Sequence, residues 1–392
     1  MIEPPFVSIV VNNFNYAHFL EQAIESALRQ TYAHREVIVV DDGSTDHSRD
    51  VIARFGEQIT PIFKQNEGQA STFNAGFKYS KGEIVVFLDA DDFLLPQAVE
   101  RAVELWDDNV VKVHWQLLVV DPQGRNTGQL LKTALIEGDF REEYLRRGPV
   151  ALSQSPTSGN AWARWFLEKV MPLPEHEDRH GADGFLRKLC PIFGEIRKIE
   201  EPQGCYRIHP GNYGGSSLMF KYRRGLRRYP AYCHLLAKHL HDMGIDVDPA
   251  KWMGSESQYA WLKNAVVLHD EITDLIPRSE IFILIDHNAL GREFFPDRES
   301  LPFIERSGEY WGPPKDDRQA RLEFERMRGQ GASFLVLAFP AFWYLESYQA
   351  FFEYIQSNYQ CVCRSERLVV FNLQQQVYTA GKVDSALSAA RQ

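Results

Sequence analysis

The sequence predicts an α/β protein: a mostly parallel sheet flanked by helices, then a helical linker and a smaller α/β domain. Three observations predict it. Short apolar runs alternate with segments of helical period over residues 7–88, each carboxylate cluster of that stretch directly follows an apolar run, and a second alternation begins near residue 279. At 392 residues the chain exceeds what one core usually supports. The expected divisions are 1–218 for the first domain, 219–278 for the helical connector, 279–375 for the small α/β domain and 376–392 for a flexible polar tail.

Residues 7–11 are a short apolar run, and 19–30 carries Leu20, Ala23, Ile24, Ala27 and Leu28 at helical spacing. Residues 36–40 follow as a second strand, and strand–helix–strand in this order implies parallel pairing. DDGSTDHSRDVIARF supplies a turn and a capped helix, 60–63 a third strand, 69–79 a helix and 84–88 a fourth strand. Ligands of such sheets bind beyond the carboxyl ends of the strands. Asp41 and Asp42 follow the second strand and Asp89, Asp91 and Asp92 the fourth, so both clusters open onto that edge. An Asp in a turn often does no more than cap the next helix, and that reading stands beside the functional one for Asp46 and for Asp41 alone. Three adjacent carboxylates are different, because their repulsion is relieved only when water, a cation or an ordered partner shares the charge. A hard cation held with a ligand's phosphate oxygens accounts for Asp89 to Asp92.

Composition narrows the partners. A formal net charge of −10, with 44% apolar and 24% charged residues, leaves no overall basic footprint for nucleic acid. MIEPPFVSIVV has neither a basic start nor a long apolar segment, which predicts no signal peptide and a cytoplasmic protein. No apolar stretch reaches the roughly 20 residues of a membrane-spanning helix; residues 333–345 are interrupted by Pro340 and read as a buried strand and turn. Cys190, Cys205, Cys233, Cys361 and Cys363 are odd in number and lack zinc spacing, so reduced thiols are expected.

Four segments, VSIVVNNFNYAHFLEQAIESALRQTY, EVIVVDDGSTD, QNEGQASTFNAGF and KGEIVVFLDADD, stand in this order over the first 95 residues. Together they resemble the family 2 glycosyltransferases of the GT-A fold, a resemblance that covers residues 5–217 or so and not the carboxyl-terminal domain. It implies an inverting transferase that uses a nucleoside-diphosphate sugar, UDP-linked, with Mn2+ or Mg2+. Asp89 and Asp91 would sit near ribose and metal, and Asp91 or Asp92 would be the direct ligand. Asp42 corresponds to the acceptor for the imide N–H of a uracil-like base. The turn from Asn12 to Tyr16, with Asn13, and the segment from Gln65 to Gly76, with Asn66, Gly68 and Asn74, would complete the nucleotide pocket; ordinary turn chemistry is the plainer reading of each glycine and asparagine.

Inverting transfer needs a base for the acceptor hydroxyl. Residues 175–189, EHEDRHGADGFLRKL, resemble the family's later acidic motif. This implies Asp183 as the base, with Glu177 and Asp178 as fallbacks and a helix cap as the alternative for Asp183. GCYRIHPGNYGGSS implies His209 as a further metal ligand, Arg207 as an electrostatic partner of the diphosphate, and a lid hinged on Gly211, Gly214 and Gly215. PTSGNAW resembles an acceptor-side strand, where Trp162 and Trp165 read more naturally as core than as sugar platforms. The expected partners are the donor and a carbohydrate or lipid-linked acceptor. A sugar nucleotidyltransferase is the alternative enzyme, though NNFNYAH lacks the basic triphosphate loop, and a non-catalytic glycan-binding protein is the third reading.

Beyond residue 218, Lys221, Arg223, Arg224, Arg227 and Arg228 lie on an expected helix. Such a run is usually a solvated face; contact with an anionic membrane surface or a lipid diphosphate is the sharper alternative. Residues 251–278 read as helical. Then 280–287, a helix near 316–328, 333–339, a helix near 345–357 and 361–373 read as the small α/β unit, expected to position the acceptor or to mediate self-association. Its aromatics Phe294, Phe295, Tyr310, Trp311, Phe339, Phe342, Trp343 and Tyr344 flank apolar strands, which predicts core packing.

Overall fold

The computed structural model describes residues 4–131, 134–150, 152–175, 179–212 and 217–376. The first unit opens with β1 (Val7–Asn13), α1 (Ala17–Leu28), β2 (Arg35–Asp41), α2 (Ser48–Ala53), β3 (Thr60–Phe63), α3 (Gln69–Tyr79) and β4 (Ile84–Asp89). β5 (Phe93–Leu94), α4 (Ala98–Glu104), β6 (Val110–Val120), β7 (Asn126–Leu130), α5 (Arg141–Arg147), β8 (Asn160–Ala163), α6 (Arg164–Val170), α7 (Asp183–Leu189) and β9 (Glu195–Arg207) follow. The sheet order is β3-β2-β1-β4-β8-β6-β9-β5, with β7 on β6. β3, β2, β1 and β4 are parallel, as the strand–helix alternation predicts; β8 then enters antiparallel to both β4 and β6.

The middles of β1, β2 and β4, at 9–11, 37–40 and 84–88, are apolar on both faces because both faces are covered. Val10, Ile38, Val40, Val85 and Phe87 pack into one core, while Ile9, Val11, Val37, Val39, Val86 and Leu88 pack into the other. The period of two thus survives as a division between two cores. Register then sets the site: Asn13 pairs with Asp41 and Asn12 with Asp89, so the polar residues that end three parallel strands share one edge.

α8 (Leu218–Asp242) begins at the expected first boundary, but the expected connector is not a separate piece. Residues 227–259 belong to the first compact unit, while 217–226 and 260 onward belong to the second. Burial gives the reason. Tyr229, Tyr232, Cys233, Leu236, Leu240 and Trp252 enter a core of the first unit, whereas Met219, Ala265, Leu268 and Ile272 enter a core of the second.

The second unit contains α9 (Gln258–Leu275), β10 (Ile281–Ile285), β11 (Ser300–Pro302), β12 (Glu305–Arg306), β13 (Glu309–Tyr310), α10 (Asp317–Gly329), β14 (Ala332–Ala338), α11 (Tyr344–Ser347), α12 (Gln349–Asn358), β15 (Tyr359–Arg364) and β16 (Leu368–Gln376). Its sheet runs β11-β10-β14-β16-β15, with β11, β10 and β14 parallel. All five cysteines are free thiols. Among the described residues no helix is long and apolar enough to cross a membrane. Beyond Gln376 the expected tail lies outside the described residues.

Candidate active site

At the carboxyl end of β4, Asp89, Asp91 and Asp92 each offer an oxygen, and these atoms lie within 4.8 Å of one another. Asp89 Oδ1 accepts from Asn12 Nδ2 at 2.5 Å and Gln69 Nε2 at 2.9 Å. Asp92, only 2% exposed, accepts from the Ser158 hydroxyl at 2.6 Å and from the Arg207 N–H at 2.9 Å. Asp91 Oδ2 meets His209 Nε2 at 3.1 Å, while its Oδ1 has no donor among the described residues. Burial and then the neighbouring Asp91 charge push the Asp89 carboxyl up to about 7, and the same two causes raise Asp92 well above the usual carboxylate range. The cluster is therefore short of positive charge, and its hard oxygen donors suit Mg2+ or Mn2+.

His209 reaches this cluster through Asp91 alone. Its Nδ1 accepts from the Gly211 N–H at 3.1 Å, which leaves the ring proton on Nε2, facing Asp91. Asn212 holds the loop by donating to the Arg207 carbonyl at 3.0 Å. Of the expected lid glycines, Gly211 is described; Gly214 and Gly215 lie outside the described residues. Arg207 departs from expectation. It is 1% exposed, donating from Nε to the Asp91 carbonyl at 2.7 Å and from its terminal nitrogens to Pro122 O at 3.0 Å and Gln22 Oε1 at 2.7 Å, with its guanidinium 4.5 Å from the Phe19 ring centroid. The guanidinium shapes the turn that carries the aspartates and is not presented to a ligand.

The second carboxylate pair lies one strand away. Asp41 accepts from Asn13 Nδ2 at 2.9 Å and the Ser44 N–H at 3.2 Å. Asp42 accepts from Lys64 Nζ at 2.7 Å and from the N–H groups of Glu67 and Gly68 at 3.1 and 2.8 Å. Three donors on a carboxylate with about four acceptor positions leave room for one more. Burial acts to lower the Lys64 pKa, but hydrogen bonds to Asp42 and Glu67 outweigh it and raise the value. Asp46 takes the plainer reading: it accepts from the first N–H groups of α1 and α2, at Ala17 and Ser48. Two buried acceptors in this row, Asn12 Oδ1 and Asn13 Oδ1, have no donor among the described residues.

Residues 66–69 join these carboxylates to the segment before α7. Arg179 donates to Asn66 Oδ1 and to its carbonyl. Gly68 stands at φ +96°, and a Cβ there would lie 2.9 Å from both Cα and O of Arg179, so the position needs glycine on both counts. Gln69 Oε1 accepts from the N–H groups of Gly181 and Ala182 at 2.7 and 3.0 Å. Arg228, 4% exposed, donates to the carbonyls of His180 and Gly181, so this member of the basic run is a buried clamp and not part of a solvated or membrane-facing surface.

Asp183 is thereby held in the first turn of α7, 7% exposed, with Oδ2 3.0 Å from Arg187 Nε. Ala182 takes the N-cap position and Asp183 the first turn, where a carboxylate also favours the helix N-terminus, so the plainer reading stands beside the catalytic one. Its charge is felt at Asp89, where it contributes to the raised pKa. Glu177 and Asp178 lie outside the described residues. Asn74 is not brought to the carboxylates: its amide is spent on Leu173 N and O and on Glu175, and it ties α3 to the 173–175 segment. Trp162 is buried against Phe166 and Trp165 packs at the edge of the same core, the roles expected of them.

Asn12 and Gln69 lie in the two segments expected to complete the nucleotide pocket, 12–16 and 65–76. Ser158 is the contact that the sequence does not single out, because only the antiparallel entry of β8 beside β4 brings it to Asp92.

The family model described as glycosyl transferase family 2 matches residues 8–162. An uncharacterized glycosyltransferase of Nostoc sp. is 40% identical over 212 residues, 53% of this chain and 66% of that protein. The chondroitin synthase of Pasteurella multocida is 35% identical over 198 residues, 47% of this chain and 20% of that protein. The chain thus spans just under two thirds of the first relative and a fifth of the second. The solved structure of S. aureus TarS 1-349 in complex with UDP covers 70% of this chain and 73% of its own, at 15% identity and TM-score 0.44, too slight a likeness to bear on function.

Proposed function

Because residues 8–162 of this chain belong to glycosyl transferase family 2, we propose that the protein moves a sugar, with inversion, from a nucleoside-diphosphate sugar to a hydroxyl of a glycan or lipid-linked acceptor. The observation that carries this is the cluster of Asp89, Asp91 and Asp92 within 4.8 Å, two of them with raised pKa, at the strand edge where the row of Asn12, Asn13 and Asp42 also opens. A uracil base, the donor base we favour, has an imide N–H for the remaining acceptor position of Asp42, and a ribose has hydroxyls for the orphaned oxygens of Asn12 and Asn13.

Asp91 would hold the divalent ion through Oδ1, the oxygen without a donor among the described residues, with Asp89 or Asp92 beside it. His209 would join through Nε2 only as the other neutral tautomer, with its proton moved to Nδ1 and the Gly211 N–H contact given up. The ion, when bound, supplies positive charge for the departing diphosphate. The remaining work falls to the chain. Asp183 accepts the acceptor hydroxyl's proton; the freed oxygen bonds to the anomeric carbon as the bond from that carbon to the diphosphate oxygen breaks. The buried Asp183 carboxylate lies 3.0 Å from Arg187 Nε and is positioned through Gln69 and Arg228. Family membership weighs against a nucleotidyltransferase.

The test is Asp183→Asn. With a donor identified by nucleoside-diphosphate release, the variant should bind that nucleotide and the metal as the wild type does while transfer falls by a factor of 100 or more, about 2.7 kcal/mol of barrier. Transfer within threefold of wild type would remove Asp183 as the base.

A further inference from the structure

In the second unit, β10 is followed in sequence by its neighbour on one side, β11, and later by its neighbour on the other, β14, all three parallel. Open α/β sheets bind ligands beyond the carboxyl ends of the strands at such a reversal. Three connections meet there: Asp286 to Asn288 after β10, the β12–β13 hairpin after β11, and residues 339–343 after β14. We infer that this edge is a binding site for a neutral saccharide, walled by His287, Tyr310 and Trp343. The site is separate from the carboxylate cluster, and the inference does not rest on the transferase reading.

The aromatics were expected to be core, and Phe294, Phe295 and Tyr344 are. Trp343 departs from that, at 40% exposure, and so does Trp311 on the neighbouring hairpin, at 73%. The His287 ring stands edge-on to Trp343 at 5.4 Å and 83°, and to Tyr310 at 5.8 Å and 83°, which makes an open aromatic corner. Its polar lining is ordered. The Tyr310 hydroxyl lies 2.8 Å from His287 Nδ1; with the phenol donating, the imidazole proton is on Nε2 of an exposed ring. Behind Tyr310, the wholly buried Tyr344 hydroxyl faces the Tyr310 phenol.

The turn that presents His287 is itself held in place. His287 and Asn288 sit at φ +55° and +58°, and the buried Asp286 carboxylate accepts from the Asn288 and Leu290 N–H groups at 3.0 Å each. Non-glycine residues held in that region cost free energy and persist only where the surroundings impose them. The ligand class follows from the chemistry of the walls. A sugar ring offers an apolar C–H face to Trp343 and hydroxyls to His287 Nε2 and the Tyr310 hydroxyl. His287, Tyr310 and Trp343 bring no lysine or arginine to hold a phosphate, and Arg306 of the hairpin is engaged with Glu323.

The test uses the full chain labelled with 5-fluorotryptophan, the Trp343 resonance assigned with Trp343→Phe, and four neutral probes: maltotetraose, cellotetraose, chitotetraose and xylotetraose. At least one should shift the Trp343 resonance saturably, and Tyr310→Phe should weaken that binding about tenfold, with Trp343→Ala weakening it further and UDP affinity at the carboxylate cluster unchanged in both. If no probe moves the resonance up to its solubility limit, or if binding survives both variants, the inference is wrong. Should Trp343→Ala fail to fold, Tyr310→Phe carries the test, because it removes one oxygen from a half-buried ring.

Discussion

Gln69 donates to Asp89 at 2.9 Å while its amide oxygen accepts from Gly181 and Ala182, so one side chain couples the carboxylate cluster to the residue that precedes Asp183. Removing it leaves two N–H groups without an acceptor, at about 1–3 kcal/mol for each one that stays dry. Gln69→Ala should lower kcat by about 10- to 100-fold, or about 1.4–2.7 kcal/mol, with donor KM changing far less. Initial rates over a donor series check this. A variant that raises KM alone would mean that Gln69 serves binding and not the relation between cluster and base.

Arg207 should behave as a structural residue. Arg207→Ala strands the Asp91 and Pro122 carbonyls and the Gln22 amide oxygen, and should cost about 2–4 kcal/mol, a fall in Tm of about 5–10 °C. Arg207→Lys should recover only part of it, since an ammonium cannot span those acceptors from one plane. Thermal melts of both variants decide. Undiminished stability with weakened UDP affinity would return Arg207 to the diphosphate role.

Gly68→Ala should destabilise by about 1–3 kcal/mol, because the position combines a positive φ with a backbone neighbour 2.9 Å from the new Cβ. The loop also delivers the Gly68 N–H to Asp42, so nucleotide affinity should fall with stability. Parallel melting and UDP titration test the pair of effects.

Lys112 sets a pH dependence. Burial pushes its ammonium down to about 7; its Nζ donates to Gln154 at 2.7 Å and lies 4.9 Å from the Trp162 ring. Its folded pKa lies below the unfolded value of about 10.4, so between pH 7 and 10.4 the unfolded chain binds more protons at this group and its contribution to stability rises with pH. Lys112→Met should be more stable than wild type at pH 7, by an amount that shrinks toward pH 10. Denaturant unfolding at pH 7, 8.5 and 10 measures it, and a constant difference between the two proteins would contradict it.

Much of this was legible in the sequence because it is local. The strand 60–63 and the helix 69–79 were bounded to the residue, and the strands before both acidic clusters came within two, since continuous apolar runs and helical spacing are properties of neighbours. The 13-residue β9 and its parallel pairing with β6 were missed: their sequences carry charge and turn residues mid-strand, and the pairing is non-local. The same limit applies to the site. Asp89, Asp91 and Asp92 announce themselves by adjacency, whereas the burial of Arg207 and Arg228 depends on elements more than 45 residues away. A basic residue in a motif looks alike in sequence whether it meets a phosphate or a carbonyl.

The most direct test of the central claim is calorimetric titration of UDP into the full chain with Mn2+ and after chelation, for wild type and Asp91→Asn. The expected result is saturable binding by the wild type that requires Mn2+ and weakens at least 100-fold in the variant, about 2.7 kcal/mol. UDP binding of equal strength with and without the metal, or unchanged by Asp91→Asn, would contradict the assignment of the Asp89–Asp91–Asp92 cluster as the metal and diphosphate site.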